Sequence, residues 1–416
     1  MIDANTVEPM PEVNGAELLD RISRWFGRFI AVTDPDDLKI LALWTPHTYL
    51  VEELYTTPRL QIDSVIFESG KTTLLDHLNA LCHAPIHAAN LSSAALIPRL
   101  LDSGMRTILL DEVDRSLHPD KPGVEELLGI LNSGYRFGAT RPVLVGGRGG
   151  WRAQEMSTYA PVAMAGNSPR LPDDTRSRAI RILLLPDLDG TVEESDWEHI
   201  EDEANQVRSD IAAWADAVRE QVKGMPVALP GRCIGRSKEK WRPLKRIAMA
   251  AGGVWPETAD RLIEKSLAED EAERDAGLRA QPPGMVLLAD LHAVWPEDEG
   301  FVPTHDLVSR VLVRNMGYWG AVSSYGKQLT EQRFGRLLSQ SAKVTSSRPG
   351  GGGTPRGYLR SQLAPVWRRL GIRQYQTGQT GQSGQTGHKT ASTSQDRFDR
   401  LDDDAEKGPR QTNEAV

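Results

Sequence analysis

Ser69, Gly70, Lys71, Thr72 and Thr73 follow one another at the point where an apolar segment gives way to an amphipathic one. A glycine-permitted turn at a helix N-terminus directs backbone N–H groups toward phosphate oxygens. A lysine beside that turn contacts the β- and γ-phosphates of ATP, and the threonine hydroxyl that follows binds Mg²⁺. The run therefore predicts an ATP site of the P-loop type that these five residues form.

The P-loop pattern is incomplete in this chain. Val65 stands where the pattern has its first glycine, so only the second half, residues 70–72, is present. The alternative interpretation is a chance Gly-Lys-Thr sequence at the start of a helix.

Two carboxylates end a later apolar segment, Thr107–Leu110. In a P-loop ATPase, the first acid at such a strand end holds the Mg²⁺ shell and the second polarises the attacking water. Asp111 is therefore predicted to bind the metal together with Thr72, and Glu112 is predicted to act on water. Strands also end at acids simply because acids face solvent, but the order and spacing behind Lys71 favour catalysis.

Three polar residues complete the predicted machinery. Asn167 follows the apolar segment 161–165, at the position where ATPases of the AAA+ type carry a polar residue between the two catalytic strands. A plain Gly-Asn turn is the alternative. Arg176 or Arg178 is a candidate arginine finger given to a neighbouring subunit, which implies a homo-oligomer. The alternative for both is a surface loop with solvated arginines.

Short apolar runs alternate with amphipathic ones after residue 57, which is typical of strand-helix-strand units in an α/β fold. Near-continuous apolar strands suit a parallel sheet that is covered on both faces. The predicted strands are Arg59–Ser64, 86–88, Thr107–Leu110, 143–145, 161–165 and 179–185, and the predicted helices are Lys71–Leu81, 92–101 and 124–132.

The chain is long enough for several domains, each with its own core. We expect an AAA+/P-loop NTPase-like parallel sheet with N-terminal helices, a helical lid and a C-terminal winged-helix domain. The predicted boundaries are 1–56 for the N-terminal helical segment, 57–190 for the ATPase core, 191–284 for the lid and 285–372 for the winged helix. Residues 373–416 contain a Gln-Thr-Gly repeat with almost nothing to form a core, which predicts a disordered tail.

A basic segment lies within an acidic chain. The formal net charge is −8, yet residues 306–371 contain eleven lysines and arginines and only two carboxylates, Asp306 and Glu331, a local net charge of +9. Such a segment attracts phosphate backbones. We therefore expect DNA contact, with residues 330–336 as a recognition helix and the glycine run 350–353 as the wing tip. A solvated basic face or a protein-binding winged helix is the alternative.

Composition excludes several classes of protein. Hydrophobic residues make up 39% and charged residues 25%, values of an ordinary soluble globular protein. The sequence has no apolar run that could span a membrane and no secretory signal. The only two cysteines, Cys82 and Cys233, lie far apart, which argues against a disulfide framework and a zinc site. A cytoplasmic protein is expected.

The chain resembles a family of functionally uncharacterised P-loop ATPases from actinobacteria and their phages and plasmids, often described as primase- or helicase-associated. The resemblance extends from about Leu18 to Ile372 and implies ATP binding and a role in the DNA metabolism of mobile elements, without a specific reaction. The residues that carry it are Trp44-Thr45-Pro46-His47-Thr48-Tyr49, Ser69-Gly70-Lys71-Thr72-Thr73-Leu74-Leu75, Leu109-Leu110-Asp111-Glu112, Gly166-Asn167, Arg176-Ser177-Arg178-Ala179-Ile180, Trp241-Arg242-Pro243-Leu244 and Arg356-Gly357-Tyr358.

The sequence favours a Mg²⁺-dependent ATPase that acts on DNA, similar to a helicase or a helicase loader. The alternative is a DNA-binding regulator that is gated by ATP and turns it over negligibly. Glu112 favours turnover, because a regulator can dispense with an acid that polarises water. A small-molecule kinase on the same loop is disfavoured by Asn167, by the arginines that follow it and by the basic segment.

Overall fold

The computed structural model describes residues 13–88, 94–118, 121, 123–147, 150–169, 171–275, 282–321, 328–350, 353 and 355–372. The chain divides into two compact units, Met1–Arg279 and Ala280–Val416. The predicted disordered tail, 373–416, lies outside the described residues. None of the described helices is both long and apolar enough to cross a membrane.

The first unit contains seven described strands and ten described helices, besides a short 3-10 helix at Val51–Glu53. The strands are β1 (Arg59–Ser64), β2 (Pro85–Ala88), β3 (Thr107–Leu110), β4 (Thr140–Gly147), β5 (Gly150–Ser157), β6 (Val162–Asn167) and β7 (Ala179–Leu183). The helices are α1 (Gly15–Phe29), α2 (Pro35–His47), α3 (Lys71–Leu81), α4 (Leu96–Leu101), α5 (Val113–Ser116), α6 (Val124–Ser133), α7 (Asp173–Arg176), α8 (Trp197–Val222), α9 (Gly235–Ala251) and α10 (Trp255–Asp275).

Five strands form a parallel sheet in the order β2-β3-β6-β1-β7. Apolar strands with helices between them fold this way because both faces of the sheet are covered. The predicted α/β class with a parallel sheet is therefore confirmed. Strand β6 lies between β1 and β3, and Ser64 at the end of β1 is paired in register with Asn167.

Two predicted elements differ from the structure. The segment 143–145 belongs to β4, which pairs antiparallel with β5 in a hairpin outside the parallel sheet. Strand β5 was missed because its residues are mostly polar and exposed, so they lack the apolar pattern of a core strand. The helix predicted at 92–101 begins at Leu96, because residues 94 and 95 form a turn; residues 92 and 93 lie outside the described part of the chain.

The N-terminal helices and the three helices after the sheet share one hydrophobic core with one face of the sheet. This core includes Trp25 of α1, Trp44 of α2, Ile62 of β1 and Trp241 of α9, each nearly or fully buried. A second cluster on the opposite face joins α4 and α6 to β3 and β6. The domain boundaries expected after residues 56 and 190 stay predictions.

The second unit has its own core and its own two-stranded sheet. Its described elements are α11 (Pro283–Val294), β8 (Phe301–Pro303), α12 (Thr304–Arg314), α13 (Met316–Trp319), α14 (Glu331–Ala342), β9 (Gly357–Leu359) and α15 (Arg360–Arg369). Strand β8 lies between the first two helices of this unit and pairs antiparallel with β9. An isolated bridge joins Ser347, just before the glycine run, to Gly357.

Candidate functional site

The loop between β1 and α3 is built around a left-handed glycine. Gly70 has φ 79° and directly precedes Lys71, the first residue of α3. A side chain is strained in that conformation, so glycine allows the turn that starts the helix. The Lys71 ammonium donates to Ser69 Oγ at 2.8 Å and to the Ile66 carbonyl at 3.4 Å, so it lies across the loop. Partial burial lowers the pKa of Lys71, against the opposing effect of nearby carboxylates.

Thr72 and Asp111 meet although 39 residues separate them. Thr72 Oγ1 donates to Asp111 Oδ2 at 3.2 Å, and Asp111 Oδ1 accepts the Glu112 N–H at 2.7 Å. A hydroxyl and a carboxylate are hard oxygen ligands, and Mg²⁺ typically binds through one or two carboxylates together with substrate phosphates. The pair therefore fits a Mg²⁺ site that a nucleotide completes. No cluster of three metal-ligating His, Cys, Asp or Glu side chains occurs among the described residues.

Glu112 occupies an unusual backbone conformation. Its φ is 49° and its ψ is 39°, in the left-handed region, where a side chain other than glycine is uncommon. This turn begins α5 directly after β3. The Glu112 carboxylate accepts from Arg115 Nη1 at 3.0 Å, and both side chains are exposed.

Asn167 lies beside the end of β1, on the strand between the two that carry the Lys71 loop and Asp111. Its N–H donates to Asp114 Oδ1 at 3.1 Å. Its side-chain oxygen is buried and has no hydrogen-bond partner among the described residues. Gly166 permits the approach, because a Cβ there would lie 2.8 Å from Asp114 Oδ1 and 2.9 Å from Asp114 N.

Sequence reasoning missed two carboxylates near the carboxyl ends of the strands that carry the candidate site. Asp114 had no assigned role, yet it fixes the Asn167 backbone. Asp63 is buried near the end of β1 and accepts from Ser168 N at 3.0 Å and from Arg181 Nε at 2.9 Å. These bonds join the ends of β1, β6 and β7. An acid inside an apolar strand, as at position 63, was the available signal.

Of the two predicted finger arginines, Arg178 lies at the opposite end of the parallel strands from the phosphate loop. The carbonyl of Arg178 accepts the N–H of Arg59, the first residue of β1, whereas the phosphate loop follows the last residue of that strand. Six residues at about 3.3 Å each separate the two ends. Arg176 pairs with Asp173 at 3.4 Å, and Arg178 pairs with Asp174. The structure therefore does not bring Arg178 to the P-loop of its own chain, and Arg176 lines another cavity together with Asp63 and Ser168.

A cavity of about 490 Å³ opens beside the P-loop. Residues 68–73 line one side, and residues 29–31, Leu185, Asp187 and 192–195 line the other. His77 of α3 joins these walls. Its Nδ1 accepts from Trp25 Nε1 at 3.1 Å, and its Nε2 lies 2.9 Å from Ser195 Oγ. Burial lowers the pKa of His77 to about 4, so the ring is neutral at pH 7.

The β4–β5 hairpin is inserted between β3 and β6, the strands that carry Asp111 and Asn167. The hairpin side chains of Leu144 and Trp151 are 58% and 73% exposed. Arg152 follows Trp151, and Arg99 of α4 donates to the Leu144 carbonyl at 3.1 Å. An exposed aromatic beside arginine is suited to stack on a nucleic-acid base.

Helix α14 of the second unit contains the residues predicted to form a recognition helix. Thr330 caps it by accepting the Arg333 N–H at 3.3 Å. Phe334 and Leu338 are buried, whereas Arg336 is exposed, so the helix has one apolar and one basic side.

Residues 188–370 match a family that is described as Protein of unknown function (DUF3631). This match supports the resemblance to a family without an assigned function for that part of the chain, and the actinobacterial or phage source stays a prediction. The match begins after Lys71, Asp111, Asn167 and Arg178, so it contains none of the predicted site residues. No curated protein matches the chain.

Several solved structures are distantly similar to the chain. The C-terminal region of NrS-1 (305–718) has a TM-score of 0.39 and 15% identity over 82% of this chain and 75% of that one. A full-length MCM homolog from Methanopyrus kandleri has a TM-score of 0.38 and 14% identity over 64% and 63%. The RuvB Holliday junction branch migration motor of Thermotoga maritima has a TM-score of 0.23 and 13% identity over 82% and 96%.

Proposed function

We propose that the chain is a Mg²⁺-dependent ATPase that acts on DNA as a helicase-like or helicase-loader-like protein of a phage or mobile element. The observation that carries this proposal is the contact between Thr72 and Asp111 at 3.2 Å beside Lys71. The sheet order supports an AAA+-like core, because β6 with Asn167 lies between the strands of the two catalytic motifs.

Each residue at this edge has a role that its position supports. Ser69, Gly70, Lys71, Thr72 and Thr73 would bind the phosphates of ATP through the loop and the start of α3. Thr72 and Asp111 would hold Mg²⁺, which neutralises phosphate charge when bound.

Two further residues would act on water. Glu112 would orient and polarise the attacking water. The unpartnered Asn167 oxygen would accept a hydrogen bond from that water or help to sense the γ-phosphate.

The DNA part of the proposal depends on two surfaces. The hairpin with the exposed Trp151 is inserted in the chain between β3 and β6, the strands that carry Asp111 and Asn167. The second unit supplies a basic helix, α14, within an arrangement that we interpret as a winged helix. Phosphate contacts would come from α14 and base stacking from the hairpin.

Oligomerisation is part of the proposed function, because Arg178 adjoins the start of β1, at the end of that strand opposite the P-loop. An arginine in that position would act on the nucleotide of another copy. The chain would therefore work as a homo-oligomer in which an arginine finger is supplied in trans.

Steady-state ATP hydrolysis by the full chain, with and without single-stranded or duplex DNA, tests the proposal. We expect Mg²⁺-dependent turnover that DNA stimulates and that Lys71→Ala abolishes. ATP binding without turnover under all of these conditions would overturn the ATPase proposal.

One observation favours an alternative, the ATP-gated DNA-binding regulator. The Glu112 carboxylate is paired with Arg115 at 3.0 Å, so it does not face the Lys71 loop freely. If that pair persists when ATP binds, water is not polarised and nucleotide acts only as a switch. ATP-dependent DNA affinity without turnover is the result that distinguishes this function.

A further inference from the structure

The phosphate loop has an apolar tip. Val65, Ile66 and Phe67 are consecutive, and their side chains are 63%, 50% and 70% exposed. A loop that serves only to bind phosphate needs backbone N–H groups and no large apolar side chains. Three adjacent exposed apolar residues indicate a surface that another protein surface covers. We name these three residues the loop tip.

A second apolar surface lies near the start of β1, at the end of the strand opposite the loop tip. Tyr55 and Phe137 are 62% and 57% exposed and adjacent, because Phe137 N donates to the Tyr55 carbonyl at 2.9 Å. The Phe137 ring contacts the buried ring of Tyr159 edge-on at 5.7 Å, which fixes its position. We name Tyr55 and Phe137 the aromatic step.

Three arginines surround Tyr135 directly beside the aromatic step. The guanidinium carbons of Arg136, Arg178 and Arg236 lie 5.1, 4.8 and 5.1 Å from the centre of the Tyr135 ring. We name Arg136, Arg178 and Arg236 the arginine cluster. Together with Tyr55, Asn132 and Phe137, they line a cavity of about 390 Å³.

The arginine cluster has hydrogen-bonding capacity that the described residues do not use. The Nε atoms of Arg136 and Arg178 are buried without a partner, as is Asn132 Oδ1 in the same cavity. The carboxylates of Glu239 and Asp174 pair with the three guanidinium groups and leave an excess of positive charge. An anion with several oxygens would satisfy both the charge and the free donors.

These two surfaces cannot meet within one chain. The loop tip follows the end of β1 at Ser64, and the aromatic step and arginine cluster adjoin its start at Arg59. The length of the strand, six residues at about 3.3 Å each, keeps them apart. Two different surfaces at opposite ends of the strands can pair between two copies of the chain. This head-to-tail contact repeats into a ring or a filament.

We infer that the loop tip of one copy packs on the aromatic step of a second copy and so places the arginine cluster of the second copy on the terminal phosphates of the bound nucleotide. The inference rests on the proposed ATPase function and extends it. The apolar loop tip packs on the apolar aromatic step, and the positively charged arginine cluster contacts the phosphates of ATP. Nucleotide binding and assembly are thereby coupled, because the phosphates complete the surface that the cluster recognises.

Self-association of the full chain gives the first test. Sedimentation would be measured with Mg²⁺ and a non-hydrolysable ATP analogue for wild type, Phe67→Ser, Phe137→Ser and the control Val254→Ser, whose side chain is 65% exposed elsewhere in the first unit. Loss of a central apolar contact should raise the protein concentration at which half of the chain is assembled. We expect an increase of about tenfold or more for the two phenylalanine variants and no change for the control. Retained binding of a fluorescent ATP analogue shows that the variants are folded.

Mixing of inactive variants gives the sharper test. Lys71→Ala damages the phosphate loop and leaves the aromatic step and the arginine cluster intact. Phe137→Ser damages the aromatic step and leaves the phosphate loop intact. Their mixture should recover turnover by about tenfold or more over either variant alone, since a finger supplied in trans contributes at least that much. A mixture of Lys71→Ala with Phe67→Ser should not recover, because both changes affect the loop side.

The outcomes separate this inference from the proposed function. Turnover that is independent of protein concentration and unaffected by Phe67→Ser would overturn the inference and leave the ATPase proposal standing. Absence of ATP binding by wild type would overturn both. Arg136→Ala and Arg236→Ala variants that lose DNA affinity but keep assembly and turnover would assign the arginine cluster to DNA phosphates and also overturn the inference.

Discussion

Thr72 Oγ1 lies 3.2 Å from Asp111 Oδ2, which joins the first turn of α3 to the end of β3. At this distance the two oxygens are placed for a shared metal ion. Preorganised ligands need little rearrangement when Mg²⁺ and ATP bind.

Thr72→Ala removes one of these oxygens, and Thr72→Ser retains it. Loss of an oriented metal ligand should lower turnover at limiting Mg²⁺ by at least about tenfold, whereas the serine variant should stay near wild type. The measurement is ATP hydrolysis as a function of Mg²⁺ concentration. Equal Mg²⁺ dependence in both variants would show that the hydroxyl does not bind the metal.

Gly166→Ala tests the close packing beneath Asn167. The added Cβ would lie 2.8 Å from Asp114 Oδ1 and 3.0 Å from Val113 Cγ2, so α5 must move. Overpacking of this kind should lower the free energy of unfolding by about 1–3 kcal/mol and reduce turnover as well.

The matched control is Gly129→Ala within α6, where no atom lies within 4 Å of the added Cβ. Alanine in an exposed helix should stabilise by about 0.5–1 kcal/mol. Urea unfolding of both variants checks the pair of predictions, and destabilisation of equal size at both positions would contradict them.

His77 should make the first unit less stable in acid. Burial lowers its pKa from 6.5 to about 4 in the folded chain, so the unfolded chain binds a proton more tightly between these pH values. The free energy of unfolding therefore falls as the pH falls through this window. Protonation of Nδ1 would also break the bond that Trp25 donates.

His77→Asn keeps an acceptor for Trp25 but removes the titration. Between pH 6.5 and 5, its free energy of unfolding should decrease by roughly 2 kcal/mol less than that of wild type. Urea unfolding of both proteins at the two pH values gives the comparison. Parallel pH profiles for wild type and His77→Asn would refute the assignment.

The part of the fold that could be predicted from the sequence is the part with local patterns. The predicted bounds of β1, β3 and α3 agree with the structure, because β1 ends at the phosphate-loop turn, β3 ends directly before Asp111 and α3 begins directly after Gly70. Strand β5 has no such pattern, since its exposed residues are ordered by pairing with β4.

Some contacts of the candidate site could be predicted from the sequence and others could not. Thr72 and Asp111 lie together beside Lys71, as their order in the sequence suggested. The bond from Asn167 N to Asp114 spans 53 residues and depends on strand register, which composition does not reveal. The distance of Arg178 from the P-loop likewise follows from the direction of parallel strands, which a motif does not encode.

We predict that Trp151 of the β4–β5 hairpin contacts the single-stranded DNA that stimulates turnover. Trp151 is 73% exposed, so Trp151→Ala should leave folding and unstimulated turnover unchanged. Loss of one stacking contact should raise the concentration of single-stranded DNA for half-maximal stimulation by about tenfold, and Trp151→Phe should largely preserve it. Titration of ATP turnover with single-stranded DNA measures the effect. Identical titrations for Trp151→Ala and wild type would remove the hairpin from the DNA interface.

Glu112→Gln separates the ATPase from the regulator. If Glu112 polarises the attacking water, this change should lower turnover by about 10²–10⁴-fold and leave ATP affinity unchanged, because the amide cannot act as a base. Arg115→Ala removes the resting partner of Glu112. It should alter turnover by no more than about fivefold, since an exposed pair contributes at most about 1 kcal/mol. Single-turnover hydrolysis and nucleotide binding check both. A regulator would show negligible hydrolysis in wild type and no further change in Glu112→Gln.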